Sequence, residues 1–405
     1  MTVQWLKKSF SFIHLLMENK EKGVIIIEGH VQGLANLRSL GKKGIPVIVI
    51  DKEDCIARYS KYCKKFFQCP DFKSDELADF LLELATKENL EGWFLLPSND
   101  HIVITLARNL NRLSEKLKLF TSNLEIINLV TDKVRLSQLA HTVGIDIPKI
   151  YNLEEVENYF SKYTTENSIL VRGKSGLQFY KTFKKKVFRL KTKDDYTNFQ
   201  HLCEKSGLAM ELLFQEEIPG NAPTYSVACF CIEGEVRNHW VGLKRRQHPL
   251  EFGTATLAES APNAELVELA KKLIRATNYN GICEIEFLYH EVKKKYCFIE
   301  LNPRTWLWVD LAIHDGVDFP YLAYSHVNDI PLNKKYLQGN EILKWRNPIT
   351  DFVFGVKALL SRKITISQFI HESYRGRIVD ALFQKDDYRP GLHYFRLLFA
   401  FNKKR

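Results

Sequence analysis

The strongest constraint in the chain is a pair of apolar segments joined by a lysine-rich turn, GICEIEFLYH (281–290) and YCFIELNPR (296–304). Each is short and rich in β-branched and aromatic residues, so each reads as a strand, and the brief connection makes them an antiparallel hairpin. Side chains alternate along a strand. Glu284 and Glu286 therefore share one face of the first strand, and Glu300 and Asn302 share one face of the second. Pairing the strands brings Glu286, Glu300 and Asn302 together. Two carboxylates at the end of an apolar strand repel each other unless a cation holds them, because unpaired buried charge is costly. Mg²⁺ takes oxygen ligands and shares them with substrate phosphates, so these three residues are the candidate ligands for Mg²⁺ or Mn²⁺. Arg304, just past the strand, is set to face a phosphate or an anionic intermediate. The bland alternative is a solvated strand face closed by a turn at Pro303. It is the better reading of either segment alone; the two together favour the site.

A site of this kind needs a body around it. The chain has 405 residues, enough for two or three domains with their own cores. No apolar run approaches the ~20 residues of a membrane-spanning helix. The first twenty residues, MTVQWLKKSFSFIHLLMENK, lack a small-residue cleavage site and read as an amphipathic helix packed on the body. The eight cysteines are scattered, as expected of reduced thiols in a cytoplasmic protein. Cys229 and Cys231 share a strand face, but no second ligand pair accompanies them, so no zinc is expected there. The formal net charge of +10 allows anionic small molecules, anionic membranes or nucleic acid. The lysine runs are not interleaved with aromatic residues as a base-stacking platform would be, so no nucleic-acid partner is expected.

Residues 23–51 show a buried strand (Val24–Ile27), a turn with Gly29 and Gly33, a helix marked by Leu34, Leu37 and Leu40, and a second buried strand ending at Asp51. This is a βαβ unit of a doubly wound sheet. GHVQG lacks the full dinucleotide fingerprint and reads as a tight turn that needs glycine. Residues 1–120 are thus an N-terminal α/β domain. Beyond it the texture is α+β, with an N-cap at Thr131, a helix stopping at Gly144, and hairpin-like segments at 168–190 and 281–301. Residues 340–405 read as helices ending in a basic tail.

Read together, GICEIEFL and YCFIELNPR resemble the metal-binding signature of ATP-grasp ligases. Further pieces follow in the family's order: an α/β domain first, then TDKVRLSQLA, SILVRGKSG, FQEEIPG and GLKRRQHPLEFGTATLAESAP. The resemblance implies an ATP-grasp fold over residues 23–330, α/β plus α+β. A Rossmann-like domain (1–120) would precede two ATP-grasp subdomains (121–200 and 201–335) and a helical C-terminal extension (336–405). It implies phosphate contacts from Lys133, Arg172 and Lys174, and adenine contacts from Gln215, Glu216, Glu217 and Ile218. Lys244 and Arg246, on one face of a strand by alternation, would orient the acceptor carboxylate beside Arg304. Where the family has Lys-Pro, this chain has Arg172-Gly173, and the usual glycine-rich lid is reduced to Gly173 and Gly176, with Lys174, Lys181 or Lys186 available to contribute. No GxxxxGK[ST] is present, which excludes a P-loop NTPase.

The implied activity is an ATP-dependent carboxylate–amine ligase acting through an acyl phosphate. The stretches IELNPRTWLW and RQHPLEFGTATLAES look closest to the branch that joins amino acids to cell-envelope precursors. Two alternatives stand beside it: a bicarbonate-using carboxylase or carbamoyl-phosphate-type enzyme, and a nucleotide-binding regulator without turnover. Carboxylate and amine small molecules are the expected partners, and a homodimer is compatible. The tail YRPGLHYFRLLFAFNKKR, with Leu392, Phe395, Leu397, Leu398 and Phe401 among cations, would pack on the body or touch an anionic membrane.

Overall fold

The computed structural model describes residues 22–403 apart from 163–167, 174–178, 180–181, 186, 207–211, 219–222, 249–252, 334 and 363. The amphipathic helix expected in the first twenty residues lies outside that range, as do Lys174, Gly176, Lys181 and Lys186. Three sheets organise the rest. The first holds β1 (Val24–Ile27), β2 (Val47–Asp51), β3 (Cys63–Gln68) and β4 (Phe94–Pro97), all parallel, in the order β3-β2-β1-β4. The sequences VIII and VIVID are buried at every position, as a parallel strand covered on both faces requires.

Helix α1 (Val31–Gly41) follows β1 and is buried from Val31 to Leu40. A Cβ on Gly33 would collide with the carbonyl oxygen of Glu28, and one on Gly29 with Cys55 and Val49. The glycines of GHVQG therefore serve close packing of helix on strand. The polar residues of α1 are held by distant parts of the chain. Gln32 and Asn36 donate to Thr305, and Arg38 donates to the Asp387 carboxylate (2.9 Å) and to the carbonyls of Ala381 and Leu382. Arg38 and Asp387 are both 1% exposed. Losing either would strand a buried charge, at about 3–5 kcal/mol.

Helices α2 (Asp100–Arg108) and α3 (Lys133–Thr142) lead into the second sheet. Its strands are β5 (Ile150–Tyr151), β6 (Ile169–Gly173), β7 (Phe188–Leu190) and β8 (Leu212–Glu216), antiparallel in the order β5-β8-β6-β7. The strand at 212–216, expected in the second subdomain, is hydrogen-bonded into this small sheet instead, because its LLFQE pattern pairs residue for residue with 169–173. The third sheet runs β13-β12-β9-β10-β11-β14-β15. Its members are β9 (Thr224–Ile232), β10 (Glu235–His248), β11 (Thr254–Ser260), β12 (Gly281–His290), β13 (Lys295–Asn302), β14 (Leu343–Arg346) and β15 (Arg377–Asp380).

Helix α4 (Ala264–Thr277) covers one face of this sheet, sharing a core with Val227, Val241, Ile285 and Phe298. The opposite face carries Trp240, Trp306 and Trp308, with ring centroids 5.4 and 5.9 Å from Trp240. The two tryptophans after the hairpin are thus core, and they fix where Arg304 emerges. The C-terminal region contains helices α5 (Pro348–Leu360), α6 (Ile366–Tyr374) and α7 (Arg389–Lys403), but it is not purely helical. Its strands β14 and β15 extend the large sheet past β11, where an open edge would otherwise expose unpaired backbone groups.

Candidate functional site

The hairpin of β12 and β13 pairs Glu286 with Glu300 and Glu284 with Asn302. Residues directly opposite on antiparallel strands put their side chains on the same face. Three carboxylates and one amide thus converge where the sheet meets the other two lobes. Asn302 donates to Glu284 at 3.1 Å, while the second Glu284 oxygen is buried without a hydrogen-bond partner among the described residues.

Cations from four other places close over these oxygens. Helix α3 begins one residue later than the sequence suggested. Thr131 ends the preceding helix, and the N-cap is Asp132, which accepts from the backbone N–H groups of Val134 (2.9 Å) and Arg135 (3.0 Å). That cap puts Lys133 in the first turn, where its ammonium pairs with Glu300. From β10, Lys244 pairs with Glu286, and both side chains are nearly buried. Arg172, at the end of β6, donates to Gln215 and feels the charges of Glu300 and Glu286. Arg304 lies 2.8 Å from Asp100 at the start of α2 and donates to Asn302 (3.3 Å) and to the Thr305 carbonyl (2.9 Å).

This arrangement splits the carboxylates electrostatically. Lys133 holds Glu300 down at about 2, against burial, with help from Arg172 and Lys244. Burial pushes Glu284 up to about 7, reinforced by Glu286 and opposed by Lys244 and Arg304. Burial would lower Lys244, but Glu286, Glu284 and Glu300 outweigh it and raise the ammonium. Perturbed titrating groups of both signs, gathered where the three sheets' side chains meet, mark a candidate active site.

The hinge residues spread in different directions. Gln215 accepts from Arg172. Glu216 takes the Lys149 N–H (3.0 Å) and Lys293 of the hairpin turn (3.0 Å), tying the small sheet to the large one. Glu217 accepts from Arg189 at 2.6–2.9 Å and from Ser168, and Ile218 is buried. Pro219 and Gly220 lie outside the described residues.

Arg246 departs from expectation. Alternation predicts that it shares a face with Lys244, but β10 carries an extra residue at 245: Lys244 pairs with Ala258 and Arg246 with Leu257. Ala258 and Leu257 are adjacent in sequence, so the bulge reverses the face. Arg246 instead packs on the C-terminal region, donating to Ser373, 3.3 Å from Asp351 and over the Phe369 ring. Two residues absent from the candidate set now join the site: Glu284, legible from its position two before Glu286, and Asp100, whose pairing with Arg304 spans two domains and leaves no local signal. Apart from this cleft, the Sγ atoms of Cys229, Cys231 and Cys283 lie within 4.8 Å of one another, all buried. The third thiol comes from the neighbouring strand β12, directly opposite Cys229. Burial pushes Cys231 and Cys283 far up, which keeps their thiols protonated.

Residues 231–316, which include the whole hairpin, match a family model described as the carbamoyl-phosphate synthase L chain, ATP binding domain. A carbamoyl-phosphate synthase from Methanobrevibacter smithii is 23% identical over 232 residues, 55% of this chain and 59% of that protein. Acetyl-CoA carboxylase 1 of Oryza sativa subsp. japonica is 38% identical over 61 residues, 15% of this chain and 3% of that one. The matched stretches thus span less than two thirds of these relatives. Among solved structures, the biotin carboxylase domain dimer of Hydrogenobacter thermophilus 2-oxoglutarate carboxylase, in complex with MgADP, ADP and bicarbonate, superposes with a TM-score of 0.61. It is 14% identical, with 80% of this chain and 74% of that one covered. An L-amino acid ligase from Bacillus licheniformis gives 0.56 at 13% identity, covering 76% and 75%. N5-carboxyaminoimidazole synthetase from Staphylococcus aureus, complexed with ADP, gives 0.53 at 16%, covering 70% of each. At these identities, what is shared is the fold.

Proposed function

We propose that this chain, a member of the ATP-grasp superfamily by its fold, is an ATP-dependent ligase that activates a carboxylate as an acyl phosphate and passes it to an amine. One observation carries the proposal: Glu286 and Glu300 stand opposite each other beside Asn302, ringed by Lys133, Arg172, Lys244 and Arg304. These donors are all oxygen, and one buried Glu284 oxygen has no partner among the described residues, which suits a hard cation. Glu286, Glu300 and Asn302 would hold Mg²⁺, which supplies neutralisation of phosphate charge when bound.

The chain's own residues then have distinct tasks. Lys133 and Arg172 concentrate positive charge where a triphosphate would lie, and Arg304 is held by Asp100 and Asn302 to meet an anion. Phosphoryl transfer depends mainly on such positioning and charge. A substrate carboxylate oxygen attacks the γ-phosphorus, and ADP leaves. The amine nitrogen then attacks the acyl carbon, expels phosphate, and loses a proton to give the amide. Lys244 lies beside Glu286 and is the candidate for orienting the carboxylate; Arg246, turned to the other face, is not. Gln215 to Ile218 remain the candidate adenine contacts.

A second reading, a bicarbonate-using enzyme, is supported by the carboxylase and carbamoyl-phosphate synthase names among the relatives. ADP release measured across an amino-acid panel, with bicarbonate present or absent, separates the two. Dependence on an amine supports the ligase, dependence on bicarbonate without amine supports the carboxylase, and nucleotide binding without ADP release overturns both.

A further inference from the structure

The C-terminal helices α5 and α6 form a hairpin whose inner side is well accounted for. Phe354 stacks on His248 of β10, and Gly355 lets the Phe369 ring approach so closely that a Cβ there would collide with it. Ala358 and Ser373 complete the buried side. The outer side carries a second apolar stripe on each helix. On α5 it runs Phe352, Val356, Leu360, and on α6 it runs Ile366, Ile370, Tyr374, each at a spacing of four. These six side chains are exposed, from 37% at Val356 to 81% at Leu360. Six large apolar side chains left exposed on two neighbouring helices mark an interaction surface rather than single scattered residues.

The charges around the stripes identify the partner. Lys357, Arg362 and Arg375 are exposed, and none has an acidic partner among the described residues. Between residues 348 and 377 the only acids are Asp351 and Glu372. Asp351 is buried against Arg246, and Glu372 also faces it at 3.8 Å. A second copy of the chain meeting this patch about a two-fold axis would set cations against cations, since such an interface is self-complementary. An anionic lipid surface complements it: apolar stripes enter the acyl boundary while Lys and Arg meet the head groups. We propose that the outer face of α5 and α6 docks the protein on an anionic membrane surface.

The test is co-sedimentation of the full chain with vesicles of phosphatidylglycerol and phosphatidylcholine, against vesicles of phosphatidylcholine alone. The parent is expected to bind the anionic vesicles and not the neutral ones. The variant F352S/L360S/I366S keeps the net charge and should lower partitioning about tenfold or more, because the apolar contribution is lost. The variant K357Q/R362Q/R375Q should bind more weakly and with less dependence on salt. Thermal melts verify folding, and basal ADP release should be unchanged in both, since none of these residues borders the cleft. Absence of binding by the parent overturns the proposal. So does unchanged binding by both variants, which would assign it to the basic tail, or a parent dimer that the serine variant splits, which would assign the patch to a second copy.

Discussion

The β12–β13 hairpin and the outer half of β10 invite the same inference from sequence, yet only one obeys it. Both offer charged residues two apart, and in both a period of two predicts a shared face. In the hairpin the ladder runs through residues 284–286 and 300–302 without interruption, so Glu284, Glu286, Glu300 and Asn302 converge. In β10 a bulge at residue 245 sends Lys244 into the cleft and Arg246 away from it. Alternation is a property of the ladder and not of the sequence, and one inserted residue reverses it.

The contrast can be broken at either end. The largest effect is expected at the hairpin: Glu300→Gln should lower ADP release by about 10²–10³-fold without unfolding the chain, as steady-state kinetics and a melt together would show. Retained turnover would dissolve the site. Next comes the split on β10. Lys244→Met should lower turnover by about 10²-fold, whereas Arg246→Met should leave turnover standing and cost about 3–5 kcal/mol of stability by isolating the buried Asp351. Denaturant titration beside the same kinetics checks both, and the reverse pattern would mean that Arg246 and not Lys244 faces the site.

A subtler test uses the opposite titrations within the hairpin. Glu300 is held below its usual range, so its stabilisation is full above about 4.5 and is lost as pH falls towards about 2. Glu284 is raised to about 7, so the folded state holds its proton longer than the unfolded chain, and stability declines as pH rises from about 4.5 to about 7. Glu284→Gln should therefore flatten the melting temperature across that upper window and leave the acid limb unchanged. The smallest effect belongs to the bulged residue itself. Arg245 is half-exposed but its partner Glu259 is buried, so Arg245→Ala should cost about 1–3 kcal/mol, less than Arg246→Met because water still reaches the pair from one side.

Much of the architecture was written locally. The buried runs at 24–27 and 47–50, the hairpin with its lysine turn, and the order of the motifs point to the ATP-grasp fold that the structure has. Local pattern puts Arg304 just past the hairpin, and the resemblance points to Lys133; the helix cap falls at Asp132 and not at Thr131 because both residue types cap and only the fold chooses between them. What stayed hidden depends on distance. Nothing in PSND announces that Asp100 will meet Arg304. Nothing in 336–405 announces that short segments such as LKWR and RIVD, too brief for a clear period, will be recruited as sheet edges.

The clamp on α1 has a consequence for biosynthesis. Arg38 finds its carboxylate partner 349 residues downstream. At translation rates of about 5–20 residues per second, that partner arrives roughly 20–70 s after the helix leaves the ribosome. During that interval a helix destined to be enclosed on every side has an unneutralised guanidinium and an uncovered apolar flank. Full burial of the Arg38 charge in the first lobe therefore has to await the segment around Asp387.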